Sequence, residues 1–282
     1  MTSQTAQQTT TDATPPAASP ASRRRRTQDS PLLGAVGIVL FLGLWEVVSR
    51  TGVIDSRFLP PASEVIVALI RNAGLTAFWV AVGQTLLAWA LGLAIAVTLA
   101  VIAGFVIGSS PVLRRLTYST IEFLRPIPSV ALIPLAVLLF GVQLESTLLL
   151  VVYASFWQVL IQVLYGVADV DNVAMQTAKS YGLGPVARIR HVIFPTTLPF
   201  LMTGVRLAAA VALILAVTAQ LIIGSPGLGR QIALAQSGGA IAALYALVVA
   251  TGLIGVVINL VMRRLERRTL SWHSSIRSEV VV

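Results

Sequence analysis

Six stretches of this chain are apolar for long enough to cross a bilayer: residues 32–49, 79–108, 113–140, 145–167, 197–223 and 240–262. At about 1.5 Å of rise per residue, a helix over any of them reaches across a hydrocarbon core about 30 Å thick. Inside lipid every backbone N–H and C=O must be paired within the protein, so such runs commit the chain to helices. The expected fold is all-α and polytopic, with six transmembrane helices and both termini on the same side.

Charge assigns that side. The sequence is 56% hydrophobic and 11% charged with a formal net charge of +9. A basic excess of this size also suits nucleic-acid binding, but the arginines sit in short loops beside apolar runs, as the positive-inside rule requires. The implied partner is the lipid bilayer and not nucleic acid. Placing both termini in the cytoplasm puts Arg23 to Arg26, Arg114, Arg115, Arg125, Lys179, Arg188, Arg190, Arg263, Arg264, Arg267, Arg268 and Arg277 inside. Only Arg50, Arg57, Arg71 and Arg230 fall outside, with Arg206 within the fifth run. Residues 1–30, rich in Thr, Ala, Gln, Ser and Pro, read as a disordered cytoplasmic tail and 269–282 as a second tail, leaving 31–268 as the membrane domain. The absence of cysteine removes disulfide and thiolate chemistry.

Two features break the pattern of plain spans. Residues 60–72 open on Pro60-Pro61, carry helix-start signals and are too short to cross, which predicts a helix along the outer interface. In the third run, Arg125-Pro126-Ile127-Pro128 and then Pro134 interrupt the backbone hydrogen-bond ladder. Irregular backbone at that depth is tolerated where it is buried or lines a cavity, so a packing kink and a pathway wall both fit.

Between the fourth and fifth runs lies a polar, basic island, residues 169–196, cytoplasmic by the charge bias. Asp169, Asp171 and Asn172 are N-cap candidates, and helix-permissive residues follow until Gly182, a natural stop. Val173, Thr177 and Tyr181 recur every four residues beside Ala174 and Ala178, making one face with small residues in it. Pro185 starts a second short helix carrying Arg188 and Arg190, which Pro195 and Pro199 are expected to separate from the fifth span.

The island reads x-x-Ala178-x-x-x-Gly182, nine residues, then Val192-x-x-Pro195. It resembles the EAA motif of the membrane subunits of ATP-binding-cassette (ABC) importers, with Gln176 where that family usually has Glu and Thr177 where it has the first Ala. Leu44-Trp45-Glu46, Phe58 to Val65, Arg125-Pro126-Ile127-Pro128, Phe140-Gly141, Gly204-Val205-Arg206 and Gly227-Leu228-Gly229 are similar to segments of the nitrate, sulfonate and taurine importer group. Gln220 replaces an acidic residue common there. The resemblance implies a type I ABC importer permease fold in a bacterial plasma membrane, working as a symmetric pair. It also implies two separate ATPase subunits that bind ATP and Mg, and an extracytoplasmic substrate-binding protein. The ATPase-coupling residues would be Val173, Gln176, Thr177, Ala178, Tyr181, Gly182, Val192 and Pro195, and the solute a sulfonate, taurine, nitrate or similar anion.

The remaining chemistry is sparse. The single lysine, Lys179, does not belong to a Gly-x-x-x-x-Gly-Lys-Ser/Thr phosphate loop. His191 and His273 are the only histidines, with no metal-binding motif around them, so no enzyme activity, cofactor or metal is expected in the chain itself. The polar span residues Gln84, Thr85, Pro128, Gln158, Gln162, Thr218 and Gln220 are the translocation-path candidates, although Gln158 and Gln162, which share one helical face, suit hydrogen bonding between packed helices better than substrate contact. The alternative function, an ion-coupled secondary transporter, calls for ionisable groups near midplane. The acids Glu46, Glu122 and Glu145 read as span-end residues, and Arg206 is shallow enough to snorkel to the cytoplasmic face.

Overall fold

A computed structural model describes residues 31–270, and no strand occurs among them. In chain order the helices are α1 (Pro31–Arg50), α2 (Ala62–Ala73), α3 (Thr76–Ser109), α4 (Pro111–Leu124), α5 (Ile133–Phe140), α6 (Leu144–Ala168), α7 (Asn172–Ser180), α8 (Pro185–Arg188), α9 (Phe194–Ile223), α10 (Leu228–Ser237) and α11 (Ile241–Thr269). The expected tails lie outside the described residues, except that Thr269 ends α11 and Leu270 is buried against Leu198 and Met202.

The core is three helices packed through small residues. Along α3 the buried stripe is Ala81, Thr85, Ala88, Gly92, Ala96, Ala100 and Gly104, one residue per turn; its start packs toward α10, and from Gly92 on it lies against α6. Between lipid-exposed helices there is no hydrophobic drive to associate, so close backbone approach through small side chains supplies the contact. A Cβ on Gly92 would overlap Val151, one on Gly104 would overlap Val163, and one on Gly108 would meet Val167. These pairs share one constant offset in residue number, so α3 and α6 run parallel. The pairs Gly166 with Thr197 and Gly204 with Val159 have instead a constant sum, which makes α6 and α9 antiparallel.

The parallel pairing settles the number of crossings. Since α3 and α6 point the same way, the chain between them must return across the membrane, and residues 111–140 are the only segment available. They do so as a broken element: α4, a bend of 82°, a 3-10 turn at Ser129–Leu132 and then α5. Five helices are individually long and apolar enough to cross, and the bent pair makes the sixth. Proline explains the break, because Pro126 and Pro128 lack the N–H groups that would continue the ladder of α4. Tyr153 takes up one freed group, its hydroxyl donating to the Leu124 carbonyl at 2.6 Å.

Arg125 is thereby displaced from its expected place. The break it belongs to is level with Tyr153, near the middle of α6, so Arg125 lies partway across the membrane and not in a cytoplasmic loop. Glu122, expected at a span end, instead lies in the last turn of α4 beside the same mid-crossing break.

The second short cytoplasmic helix also differs from expectation. Pro195 and Pro199 do not separate it from the fifth span; α8, a π turn at Ile189–Ile193 and α9 form one helix from Pro185 to Ile223. The wider π turn comes before Pro195, where its missing N–H costs least, and the Thr196 hydroxyl donates to the Val192 carbonyl at 2.8 Å. At the other end of the bundle, α2 is short as expected and packs against α1 and α11. Trp45 Nε1 donates to the Pro60 carbonyl, Tyr245 OH to the Phe58 carbonyl, and Glu46 accepts from both Arg50 and Ser63.

Candidate functional site

The expected coupling segment forms a helix with a defined start and stop. The Asp171 carboxylate accepts the Val173 N–H at 2.8 Å and caps α7. Its C-terminus closes with two bonds, Gly182 N–H to the Lys179 carbonyl and Leu183 N–H to the Ala178 carbonyl, each at 3.0 Å. That pairing is the Schellman stop, which needs a left-handed residue at Gly182, and its φ is +73°. The eight expected coupling residues divide by exposure. Val173 at 69% and Tyr181 at 81% stand open to solvent with Gln176, Thr177 and Gly182, a mixed apolar and polar surface that nothing among the described residues covers. Ala178 points the other way and is buried, which holds α7 against the helix that follows. Val192 and Pro195 are half-buried on the continuous Pro185–Ile223 helix and do not join that surface.

The translocation-path candidates fall into two constellations. Pro128 and Gln158 meet at a cavity of about 490 Å³ at the break in the third crossing. Glu122, Arg125, Ser129, Tyr153 and Trp157 complete its polar lining. Trp157 is 9% exposed, and its indole N–H is buried without an acceptor. Tyr153 and Phe156 hold the Trp157 ring edge-on at centroid distances of 5.9 and 5.0 Å. The cavity therefore presents a guanidinium and a carboxylate, beside a buried indole N–H with no acceptor, inside a crossing where charge is costly. Sequence reasoning missed Glu122, Arg125, Tyr153 and Trp157. The available signal was a pair of opposite charges, Glu122 and Arg125, just ahead of Pro126 and Pro128 inside a membrane-length run.

Thr85 and Gln220 come together elsewhere, sealed between α3, α9 and α10. The Thr85 hydroxyl accepts the Leu228 N–H at 2.9 Å and donates to Gln220 Oε1 at 2.8 Å, which also accepts the Gly229 N–H at 3.3 Å. Gln220 Nε2 is buried with no partner. The glycines are there for clearance: a Cβ on Gly227 would overlap the Gln220 carboxamide, and one on Gly229 the backbone of α9 at Val217 and Leu221. Gln162 lies over Gly204 in the α6–α9 contact, while Gln84 and Thr218 are half-buried and join neither constellation. Arg206 does not stand alone: its guanidinium donates to Glu266 at 3.1 Å, linking α9 to α11.

Comparison with known proteins agrees with this geometry. Residues 96–271 match the family model of the binding-protein-dependent transport system inner membrane component. The taurine transport system permease protein TauC of Escherichia coli is 31% identical over 245 residues, covering 85% of this chain and 89% of that protein. The putative aliphatic sulfonates transport permease protein SsuC of Escherichia coli is 29% identical, covering 86% of this chain and 92% of that protein. The bicarbonate transport system permease protein CmpB of Synechocystis is 26% identical and covers 73% and 76%. Among solved structures, a chain of the MetNI methionine ABC transporter in an inward-facing conformation superposes with a TM-score of 0.58 at 16% identity, over 72% of this chain and 97% of that one, which shows the fold. The chain thus belongs to the binding-protein-dependent transport system inner membrane components, the multi-pass permease subunits of ABC importers, a family whose membership implies ATPase subunits and a substrate-binding protein.

Proposed function

We propose that this permease carries a small organic anion of the sulfonate kind, and that the solute is handled at the cavity where the third crossing breaks. The observation that carries the reading is the lining of that cavity: the Arg125 guanidinium, the Glu122 carboxylate and the orphan Trp157 N–H in one space near mid-bilayer. Arg125 offers a planar fork of donors matched to a tetrahedral or planar oxyanion, and Trp157 adds one more donor. Glu122 suits a solute that also bears an ammonium group, as taurine does. The names of TauC and SsuC support a sulfonate, and the charge pair in this chain supports an aminated one.

Power comes from outside the chain in this reading. Two copies of the permease enclose the pathway, and each presents the exposed Val173/Thr177/Tyr181 face of α7 to one of two ATPase subunits that bind ATP and Mg. ATP drives transport by favouring one arrangement of the spans over the other, since equal affinity for both would shift nothing.

The test is ATP-dependent uptake in proteoliposomes holding the permease, its ATPase and its binding protein. Arg125→Gln should lower uptake of both taurine and an unaminated alkanesulfonate by about 10-fold or more, whereas Glu122→Gln should impair taurine selectively. Wild-type uptake of both solutes by Arg125→Gln rejects the cavity. Tyr181→Ala, at a fully solvated position, should release the ATPase during co-purification; retention at wild-type stoichiometry rejects α7 as the docking helix. Uptake by the purified permease alone under an ion gradient would favour a secondary carrier instead.

A further inference from the structure

A second cavity, of about 460 Å³, opens at the cytoplasmic end of the bundle between the end of α3, the start of α4, the end of α6 and the coupling helices α7 and α8. Three cations line it, Arg114, Lys179 and Arg188, and no carboxylate does. Among the described residues none of the three has a carboxylate within ion-pair distance. The neighbouring acids are committed elsewhere: Asp171 caps α7, and Asp169 lines a separate cavity with Pro195 and Thr196. Arg114 spends one N–H on the Gly108 carbonyl at 3.0 Å, and Arg188 Nε is buried with no partner at all. Arg188 is half-buried with its Nε unspent and two exposed cations line the same space, so an anion seated there would satisfy a donor on a charged group that is expensive to leave unpaired.

Depth selects the kind of anion. The register that pairs Gly108 with Val167 places the cavity where α3 and α6 both leave the apolar core, at the height of the cytoplasmic lipid headgroups. Val167, Met175, Ile189 and Ile193 give its wall an apolar side, Ser109 and Asn172 add polar groups, and the last turns of α3 leading to it expose Leu99, Ile102 and Val106. A free ion gains nothing from that apolar surface, whereas a phospholipid gains on both its headgroup and its chains. Basic pockets between spans on the cytoplasmic side are suited to such headgroups.

We infer that this cavity binds the phosphate headgroup of an anionic phospholipid of the inner leaflet. The bound headgroup bridges α7 through Lys179, α8 through Arg188 and the α3–α4 corner through Arg114, so the lipid joins the coupling segment to the spans. It is a site distinct from the solute cavity, and its test reads lipid retention and not transport.

The full-length permease, purified in detergent, is exposed to phosphatidylglycerol or phosphatidylcholine and the retained lipid is measured by native mass spectrometry. Wild type should keep phosphatidylglycerol at least fivefold better than phosphatidylcholine. Lys179→Gln combined with Arg188→Gln should abolish that preference, while Arg263→Gln combined with Arg264→Gln, cations outside the cavity, should leave it intact. Arg188→Lys, which keeps the charge but loses the fork and its Nε, should retain part of it. Equal retention of the two lipids by wild type, or an unchanged preference in the cavity variant, overturns the inference. Complete displacement of phosphatidylglycerol by millimolar inorganic phosphate, or by an acidic peptide, overturns the lipid assignment in favour of that competitor.

Discussion

The break cavity and the Thr85–Gln220 junction are both polar interruptions of an apolar bundle, yet they are built on opposite terms. At the junction almost every group is paired and sealed: Thr85 is fully buried, Gln220 is 1% exposed, and two glycines exist to let α10 approach α9. At the cavity the backbone is broken, Glu122 and Arg125 are exposed, and Trp157 keeps a donor in reserve. A sealed polar cluster holds helices in place, because unmaking its bonds strands their partners in apolar surroundings. An open one with unspent donors has capacity left for something that comes and goes.

The comparison breaks most visibly at Gly229. Gly229→Val drives a side chain into the backbone of α9, at or above the upper end of the roughly 1–3 kcal/mol typical of overpacking. Monodisperse protein should be lost in size-exclusion profiles, and a well-folded variant would show that the α9–α10 approach is not tight. Arg125→Gln should behave in the opposite way. Removing charge-assisted hydrogen bonds worth about 1.5–3 kcal/mol lowers uptake by about 10- to 100-fold, while the melting temperature stays within about 1 °C of wild type, as expected of an exposed site. A matching fall in melting temperature would make the cavity structural. Gln220→Leu strands the Gly229 N–H and one Thr85 bond, at a cost of about 1–3 kcal/mol in thermal unfolding with uptake per folded molecule preserved. Lost uptake at unchanged stability would put the junction on the pathway. The smallest effect belongs to Gln162→Leu, below about 1 kcal/mol, because interhelical polar contacts average about 0.6 kcal/mol and the side chain already lies over Gly204. A change in solute selectivity there would extend the cavity along α6.

How much of this was legible in the sequence depends on the range of the interaction involved. The apolar runs, the Asp171 cap and the Gly182 stop are local, and the helices they predict are present. The proline cluster at 126–128 signalled an interruption, and the structure contains one. What one-dimensional reading could not supply was depth. Arg125 looked like a loop residue because charge in a sequence marks a boundary, whereas here the boundary is a bend inside the membrane. Thr85 and Gln220, far apart in the chain, carried no sign that they share a hydrogen bond, and a polar residue reads alike whether it faces a solute or a neighbouring helix. Pro195 and Pro199 misled because proline's usual effect on a helix is to end it, and a π turn placed just before Pro195 changes that outcome.

The unbroken helix from Pro185 to Ile223 makes a lever of the fifth crossing. Gly204 lies at its midpoint, and there it bears closely on Val159 and Gln162 of α6, which gives the lever a fulcrum. With arms of equal length, a sideways push on the cytoplasmic end returns as a similar displacement of the outer end in the opposite direction. The outer end is tied through Gln220 to α3 and α10, so they share the stroke. A see-saw of this kind would narrow one mouth of a passage as it widened the other, provided that the second close contact of the two helices, Gly166 on Thr197, slides with it.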